Sequence, residues 1–158
     1  MERLNGIRDL SFIQRNRMPA HQDSLAGNLN IQKMVNDAVQ QIQQVPGFEQ
    51  VRFIIFYGST QKRQMTPESD IDLCVYYDGD RADAGKFRHE VLSRLPGIRY
   101  DVKIFQQLPL YIRIEVLKGT PVFVPDLPFL YEIANRTLRE FDDFKHRLYD
   151  YTGQAAIS

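Results

Sequence analysis

The apolar positions of the chain follow two kinds of repeat. Four segments place apolar residues every three or four positions, which is the spacing of one helix face. Four shorter segments are rich in β-branched and aromatic residues, which is typical of buried strands. In chain order the pattern predicts a helix at about 31–44, strands at 51–57 and 70–77, a helix around 87–95, a strand at 99–105, a helix within 108–119, a short strand at 120–124 and a terminal helix from Pro128.

This order predicts one α/β (α+β) domain with a mixed four-stranded sheet flanked by helices. The domain is expected to span residues 31–158, with Asn28 or Asn30 as the cap of its first helix. Residues 1–30 are polar and poorly periodic, so we expect an N-terminal arm, possibly flexible. The segment 78–85 is expected to be a loop, and the stretch before Pro67 a single helical turn.

Composition narrows the class of protein. Apolar residues make up 43% and charged residues 25% of the 158 positions, as in an ordinary soluble globule. Lysine plus arginine equals aspartate plus glutamate, 20 of each, so no overall field attracts nucleic acid or an anionic membrane. The single cysteine, Cys74, excludes an internal disulfide. With no bilayer-length apolar run and no secretory signal pattern, we expect a cytoplasmic protein.

Candidate chemistry begins with two aspartates on the second predicted strand. Asp70 and Asp72 are two residues apart, so they point to the same face of a strand. Two carboxylates about 6 Å apart repel by roughly 3 kcal/mol at an effective dielectric constant of 20. Near a core this repulsion needs a proton or a cation. Magnesium, which prefers oxygen ligands and often keeps substrate phosphates, meets that need.

A third carboxylate could complete the site. Asp101 lies near the start of the next predicted strand, and Lys103 shares its face. If this strand pairs beside the second one, Asp101 approaches Asp70 and Asp72. Three carboxylates with one or two divalent ions and a triphosphate form a site for in-line attack. Taken alone, however, Asp101 could simply pair with Lys103 or Arg99.

The turn after the first predicted strand offers a phosphate site. Gly58 lets the backbone approach a ligand closely, and Ser59 has both a hydroxyl and an N–H to donate. If the following residues begin a helix, its first N–H groups favour an anion. The turn and the acids could therefore hold phosphates and their metal together.

Gly58-Ser59, ten further residues, then Asp70-Ile71-Asp72 and the later Asp101 resemble the signature of the nucleotidyltransferase superfamily that includes DNA polymerase beta. The "SDIDL" segment and the small size are similar to the minimal nucleotidyltransferases, which are commonly antitoxins paired with HEPN-family toxins. The resemblance covers about residues 31–150.

The resemblance implies a function and a set of roles. It implies transfer of AMP from ATP to a protein hydroxyl, a tyrosine of a HEPN-type toxin, with no nucleic acid template and no membrane. Asp70 and Asp72 would hold Mg²⁺, and Asp101 would bind a second ion and orient or deprotonate the acceptor hydroxyl. Gly58 and Ser59 would cradle the distal phosphates.

The turn departs from the family pattern. The minimal family usually has Gly-Ser-Arg-Ala-Arg-Gly, whereas this chain has Thr60 at the first arginine, Lys62 at the second and Arg63 at the last glycine. Lys62 keeps a basic position and is a further candidate phosphate ligand. Two other functions stay open: an antitoxin that works by occlusion alone, and nucleotidyl transfer to a small molecule. A homo-oligomer also stays open.

Overall fold

The computed structural model describes residues 25–58, 70–97 and 99–152. Within these ranges the chain alternates between strands and helices in the order that the sequence pattern predicts. The elements are α1 (Leu25–Gln43), a 3-10 turn (Phe48–Gln50), β1 (Val51–Tyr57), β2 (Ile71–Tyr77), α2 (Arg81–Arg94), β3 (Tyr100–Ile104), a 3-10 turn (Phe105–Gln107), α3 (Leu110–Leu117), β4 (Thr120–Phe123) and α4 (Leu127–Thr152). None of the helices in these ranges is long and apolar enough to cross a membrane.

The four strands form one mixed sheet in the order β3-β2-β1-β4. β1 is antiparallel to both β2 and β4, whereas β2 and β3 run parallel. β1 is the most buried strand because it is central and covered on both faces, which agrees with its nearly unbroken apolar sequence. The predicted mixed four-stranded sheet is therefore confirmed.

Each face of the sheet has its own apolar core. Helices α1 and α2 cover one face, where Val35, Ile42, Phe87 and Val91 pack with alternate residues of the strands. Helices α3 and α4 cover the other face, where the core includes Phe53, Ile55, Cys74, Leu117 and Leu130. Because side chains alternate along a strand, Asp72 lies on the same face as Cys74, at the end of this second core.

Two local predictions are wrong. Helix α1 begins at Leu25 rather than near residue 31, so Asn28 and Asn30 lie inside it and neither caps it. The predicted loop at 78–85 instead contains the start of α2 at Arg81. Asp80 caps this helix: its side chain accepts a hydrogen bond of 2.8 Å from the backbone N–H of Asp83.

The remaining elements agree with the sequence pattern. The ambiguous segment 108–119 is helical, as predicted, with Pro109 as the residue before the first turn and Gly119 after the last. Pro109 fits there because proline suits the start of a helix, where the backbone N–H has no partner within the helix. The predicted turn before Pro67 lies outside the described residues.

Candidate active site

Strand pairing brings the predicted acids together. In the parallel pair of β2 and β3, Asp72 is the register partner of Asp101. In the antiparallel pair of β1 and β2, the partner of Asp72 is Tyr57, the last residue of β1. Asp70 immediately precedes β2 and is exposed, and its charge acts on Asp72. The sequence prediction required β3 to pair beside β2, and it does.

Gly58 lies so close to the side chain of Asp72 that a larger residue at position 58 would force the carboxylate to move. A Cβ atom placed on Gly58 would overlap the Oδ2 atom of Asp72 and would lie 3.3 Å from its Cγ atom. The backbone of Gly58 also has φ +91°, a conformation that other residues rarely adopt. Gly58, the residue after β1, and the carboxylate of Asp72 on β2 are therefore direct neighbours.

Asp72 is held where its negative charge is costly. Partial burial raises the pKa of its carboxyl group to about 6, and the charges of Asp101 and Asp70 contribute further, whereas Lys103 opposes the shift. A raised carboxyl pKa means that the ionised form lacks sufficient compensation. A bound cation would supply that compensation, so the electrostatics favour a cation at this position.

Lys103 forms an ion pair with one of the acids. Its Nζ atom lies 3.2 Å from the Oδ2 atom of Asp101. The two residues are two positions apart on β3 and so project from the same face. The simple ion pair considered for Asp101 therefore exists, and it coexists with the position of Asp101 beside Asp72.

Tyr57 belongs to the site and was not singled out from the sequence. Its ring is buried in the second core, beneath the acids. Burial raises the pKa of its hydroxyl group, with further contributions from Cys74, Asp72 and Asp101, so the group stays neutral. Its place directly before Gly58 was a usable signal, because a strand residue next to the turn must border whatever the turn binds.

The predicted site residues thus fall into two sets. Asp72 adjoins both Gly58 and Asp101, and the charge of Asp70 acts on it. Ser59 and Lys62 lie outside the described residues, so their phosphate contacts stay predictions.

The acids suit a metal that takes part of its coordination from elsewhere. Among residues 25–58, 70–97 and 99–152, no three side chains of the histidine, cysteine, aspartate or glutamate type are arranged to hold an ion by themselves. Magnesium commonly binds through one or two carboxylates and completes its shell with water and substrate phosphates. The adjacent pair Asp72 and Asp101, with Asp70 next to it, fits that kind of site.

Comparison with known proteins identifies the family. The family model described as "Polymerase beta, Nucleotidyltransferase" matches residues 40–126, which contain β1 to β4 and all four candidate residues described above. The chain belongs to this family. This membership confirms the resemblance to the nucleotidyltransferase superfamily that the Gly-Ser and Asp-x-Asp motifs carry.

Individual relatives are more limited guides. The "Putative protein adenylyltransferase" of Methanocaldococcus jannaschii is 41% identical over 73 residues, which cover 46% of this chain. The match spans 55% of that relative, so the chain matches about half the length of the curated protein.

Two solved structures share the nucleotidyltransferase fold. One is described as the crystal structure of the toxin-antitoxin MntA-HepT; it has a TM-score of 0.56, 14% identity, and coverage of 80% of this chain and 99% of the other. A second, described as the crystal structure of the toxin-antitoxin with AMP-PNP, has a TM-score of 0.55 and 12% identity. It covers 77% of this chain and 98% of the other. At these identities the likeness shows the fold.

Proposed function

We propose that the protein transfers AMP from ATP to a hydroxyl group of a partner protein, and that it is the antitoxin of a toxin–antitoxin pair. The single observation that carries the catalytic part is the Asp72–Asp101 pair packed against Gly58. Support for a protein acceptor comes from the archaeal relative named as a protein adenylyltransferase. Support for an antitoxin comes from the toxin–antitoxin complexes that share the fold.

The reaction can be written from the residues present. The acceptor hydroxyl oxygen bonds to the α-phosphorus of ATP, the bond from that phosphorus to the bridging oxygen breaks, and pyrophosphate leaves. Asp101 lies at the edge strand, half-buried, where it can orient the hydroxyl and take its proton. Tyr57, neutral and buried, lies opposite Asp72 on the neighbouring strand.

A magnesium ion fits the donor set of Asp70, Asp72 and Asp101 and, when bound, would offset negative charge on the triphosphate. Asp72 is the central ligand in this proposal, because it alone adjoins both Gly58 and Asp101. Ser59 and Lys62 are proposed to hold the distal phosphates. Since ATP is the donor, we place the reaction in the cytoplasm.

The acceptor is proposed to be a tyrosine of a HEPN-type toxin, a small helical protein with an Arg-x4–6-His motif. The experiment combines this chain with the product of such a neighbouring reading frame, Mg²⁺ and ATP labelled at the α-phosphate. We expect label and the mass of one AMP unit on a tyrosine of the partner. Asp72→Asn should reduce labelling by at least about a hundredfold, because several kcal/mol of charge stabilisation depend on the metal site.

The matched control is Asp78→Asn, which makes the same change just after the other end of β2, where Asp78 pairs with Arg52 at 3.3 Å. Labelling by this control should stay close to that of the natural sequence. Equal labelling by Asp72→Asn would contradict the catalytic proposal. Absence of labelling by every version, with the partner still neutralised in cells, would instead support an antitoxin that works by occlusion.

A further inference from the structure

Lys103 lies on β3 beside the acid pair Asp72 and Asp101. It projects from β3 toward the same face as Asp101, and its register partner on β2 is Cys74. Cys74 is fully buried, and burial raises the pKa of its thiol, so this neighbour stays neutral. The ion pair that the structure shows for Lys103 is the one with Asp101 at 3.2 Å. The ammonium group therefore has a carboxylate of the metal site as its partner.

The ammonium group affects more than one carboxylate. It bonds to Asp101, and its positive charge also acts on Asp72, where it opposes the effects of burial and of the neighbouring acids. Lys103 thus partly neutralises a cluster of three carboxylates with a single positive charge. A cation that binds Asp101 and Asp72 must compete for the same oxygen atoms.

The exposure of the pair permits such an exchange. The side chains of Lys103 and Asp101 are 42% and 37% exposed, so the ammonium group can leave the carboxylate for water without unpacking the core. Lysine has a long flexible stem and can move its charged end while the stem stays against the sheet. The ion pair is therefore exchangeable, unlike one closed inside a core.

We propose that Lys103 is a positioning residue that serves as the resident counter-ion of the metal site and is displaced from Asp101 when a divalent ion binds. It holds Asp101 in place while the site has no metal, and its charge lowers the affinity for the ion that replaces it. This inference rests on the proposed role of Asp72 and Asp101 as metal ligands, but not on the identity of the acceptor or the nucleotide.

The test measures Mn²⁺ binding to the full-length protein by titration calorimetry, without nucleotide or partner. We expect Lys103→Met to bind Mn²⁺ about tenfold more tightly. The substitution removes the repulsion between the Lys103 ammonium group and the divalent ion, which both lie beside the water-exposed carboxylate of Asp101. Lys103→Arg keeps the charge and should bind like the natural sequence. Lys86→Met, the same change on the exposed surface of α2 over the opposite face of the sheet, should also leave the affinity unchanged.

Equal or weaker Mn²⁺ binding by Lys103→Met would overturn the proposal, and weaker binding would indicate a purely structural role. If Lys103→Met does not fold, release of Lys103 can be measured in the protein of natural sequence. Mn²⁺ should speed the acetylation of Lys103 by an amine-reactive reagent, because metal binding releases the Lys103 side chain from Asp101. Mass spectrometry follows the reaction, with Lys86 as the internal reference. Acetylation that is unchanged or slowed would contradict release.

These readouts separate the inference from the proposed function. Failure to label any partner would leave the Mn²⁺ titration informative, since it uses neither ATP nor acceptor. Conversely, normal labelling combined with unchanged Mn²⁺ affinity in Lys103→Met would overturn only the role of Lys103.

Discussion

At the scale of single residues, the carboxylate of Asp72 has two close neighbours. Asp101 lies beside it across the parallel strand pair, and Gly58 lies so close that a Cβ atom would overlap Oδ2. A ligand bound to the carboxylate of Asp72 would therefore lie close to both of these neighbours.

Gly58→Ala tests this packing. The added methyl group meets the carboxylate of Asp72, and alanine is strained at φ +91°. We expect the free energy of unfolding to fall by about 1–3 kcal/mol, and Mn²⁺ affinity to fall with it, because the carboxylate must move. Denaturant unfolding and calorimetry measure both quantities.

Gly85→Ala is the control for that change. Gly85 lies within α2, and a Cβ atom there meets no other atom within 4 Å. Alanine should therefore stabilise the protein by up to about 1 kcal/mol and leave metal binding unchanged. A Gly58→Ala protein as stable as the natural one, with the same Mn²⁺ affinity, would show that the two groups are not in contact in solution.

At the scale of residues, the candidate acids could be predicted because the spacing of residues along one strand is a local property of the sequence. Alternation along a strand predicts that Asp70 and Asp72 share one face, but β2 begins at Ile71, so Asp70 lies just before the strand. The adjacency of Asp101 required strand pairing, which is not a local property, so it could be stated only as a condition. Tyr57 was missed because the apolar pattern predicts its burial but not its register opposite Asp72.

At the scale of elements, α4 divides into a packed part and an exposed part. Leu130, Ile133 and Ala134 are buried in the second core. Further along the same helix, Phe144 and Leu148 are each 45% exposed and Tyr151 is 90% exposed. The apolar stripe predicted from the sequence is thus continuous along the helix, but only its first part packs on the sheet.

Two substitutions to alanine on α4 should lower the free energy of unfolding by very different amounts. Leu130 is completely buried, so Leu130→Ala removes packed atoms and leaves a cavity, which costs about 2–5 kcal/mol of unfolding free energy. Phe144→Ala removes a larger side chain that is almost half exposed, and should cost less than about 1 kcal/mol. Chemical denaturation measures both, and similar losses would mean that Phe144 is packed as well as Leu130.

Element ends were harder to predict than element types. The apolar spacing of Phe87, Val91 and Leu95 predicts helix α2, but its first turn is polar and was assigned to a loop. The signal was present, because Asp80 precedes Asp83 by three residues, and Asp80 accepts the hydrogen bond of a typical N-cap. For α1, which begins at Leu25, the sequence prediction started at Ile31 because the regular apolar spacing starts there, and the first turn has no acidic residue.

At the scale of the whole molecule, a net charge of zero conceals a local excess of negative charge. The overall balance of charge carries no information about the acidic cluster formed by β2 and β3. Fold class followed from the order of elements, whereas the layering into two cores depended on which helix covers which face. That choice is set by long-range packing.

The raised pKa of Asp72 makes the stability of the metal-free protein depend on pH. In the folded protein this carboxyl group titrates at about 6 instead of its ordinary value of 3.8. Between these values the folded state binds more protons than the unfolded state, so stability falls as pH rises from about 4 to above 6. Thermal unfolding in EDTA across this range measures the effect.

Asp72→Asn should flatten that dependence, because the titrating group is gone. Saturating Mg²⁺ at neutral pH should raise the melting temperature of the natural sequence but not of Asp72→Asn, since a ligand that binds only the folded state stabilises it. Melting temperatures of the metal-free natural protein that rise with pH over this range would contradict the proposed environment of Asp72.

Hydrogen bonding between β2 and β3 sets Asp72 against Asp101, and neither residue belongs to the sequence segment that joins β1 to β2. That joining segment carries Ser59 and Lys62, the residues proposed for phosphate recognition. The proposed metal ligands and the proposed phosphate ligands therefore come from different parts of the sequence. Grafting the corresponding phosphate-binding segment of another nucleotidyltransferase should alter the affinity for the triphosphate, while pairing of β2 with β3 keeps the two carboxylates together.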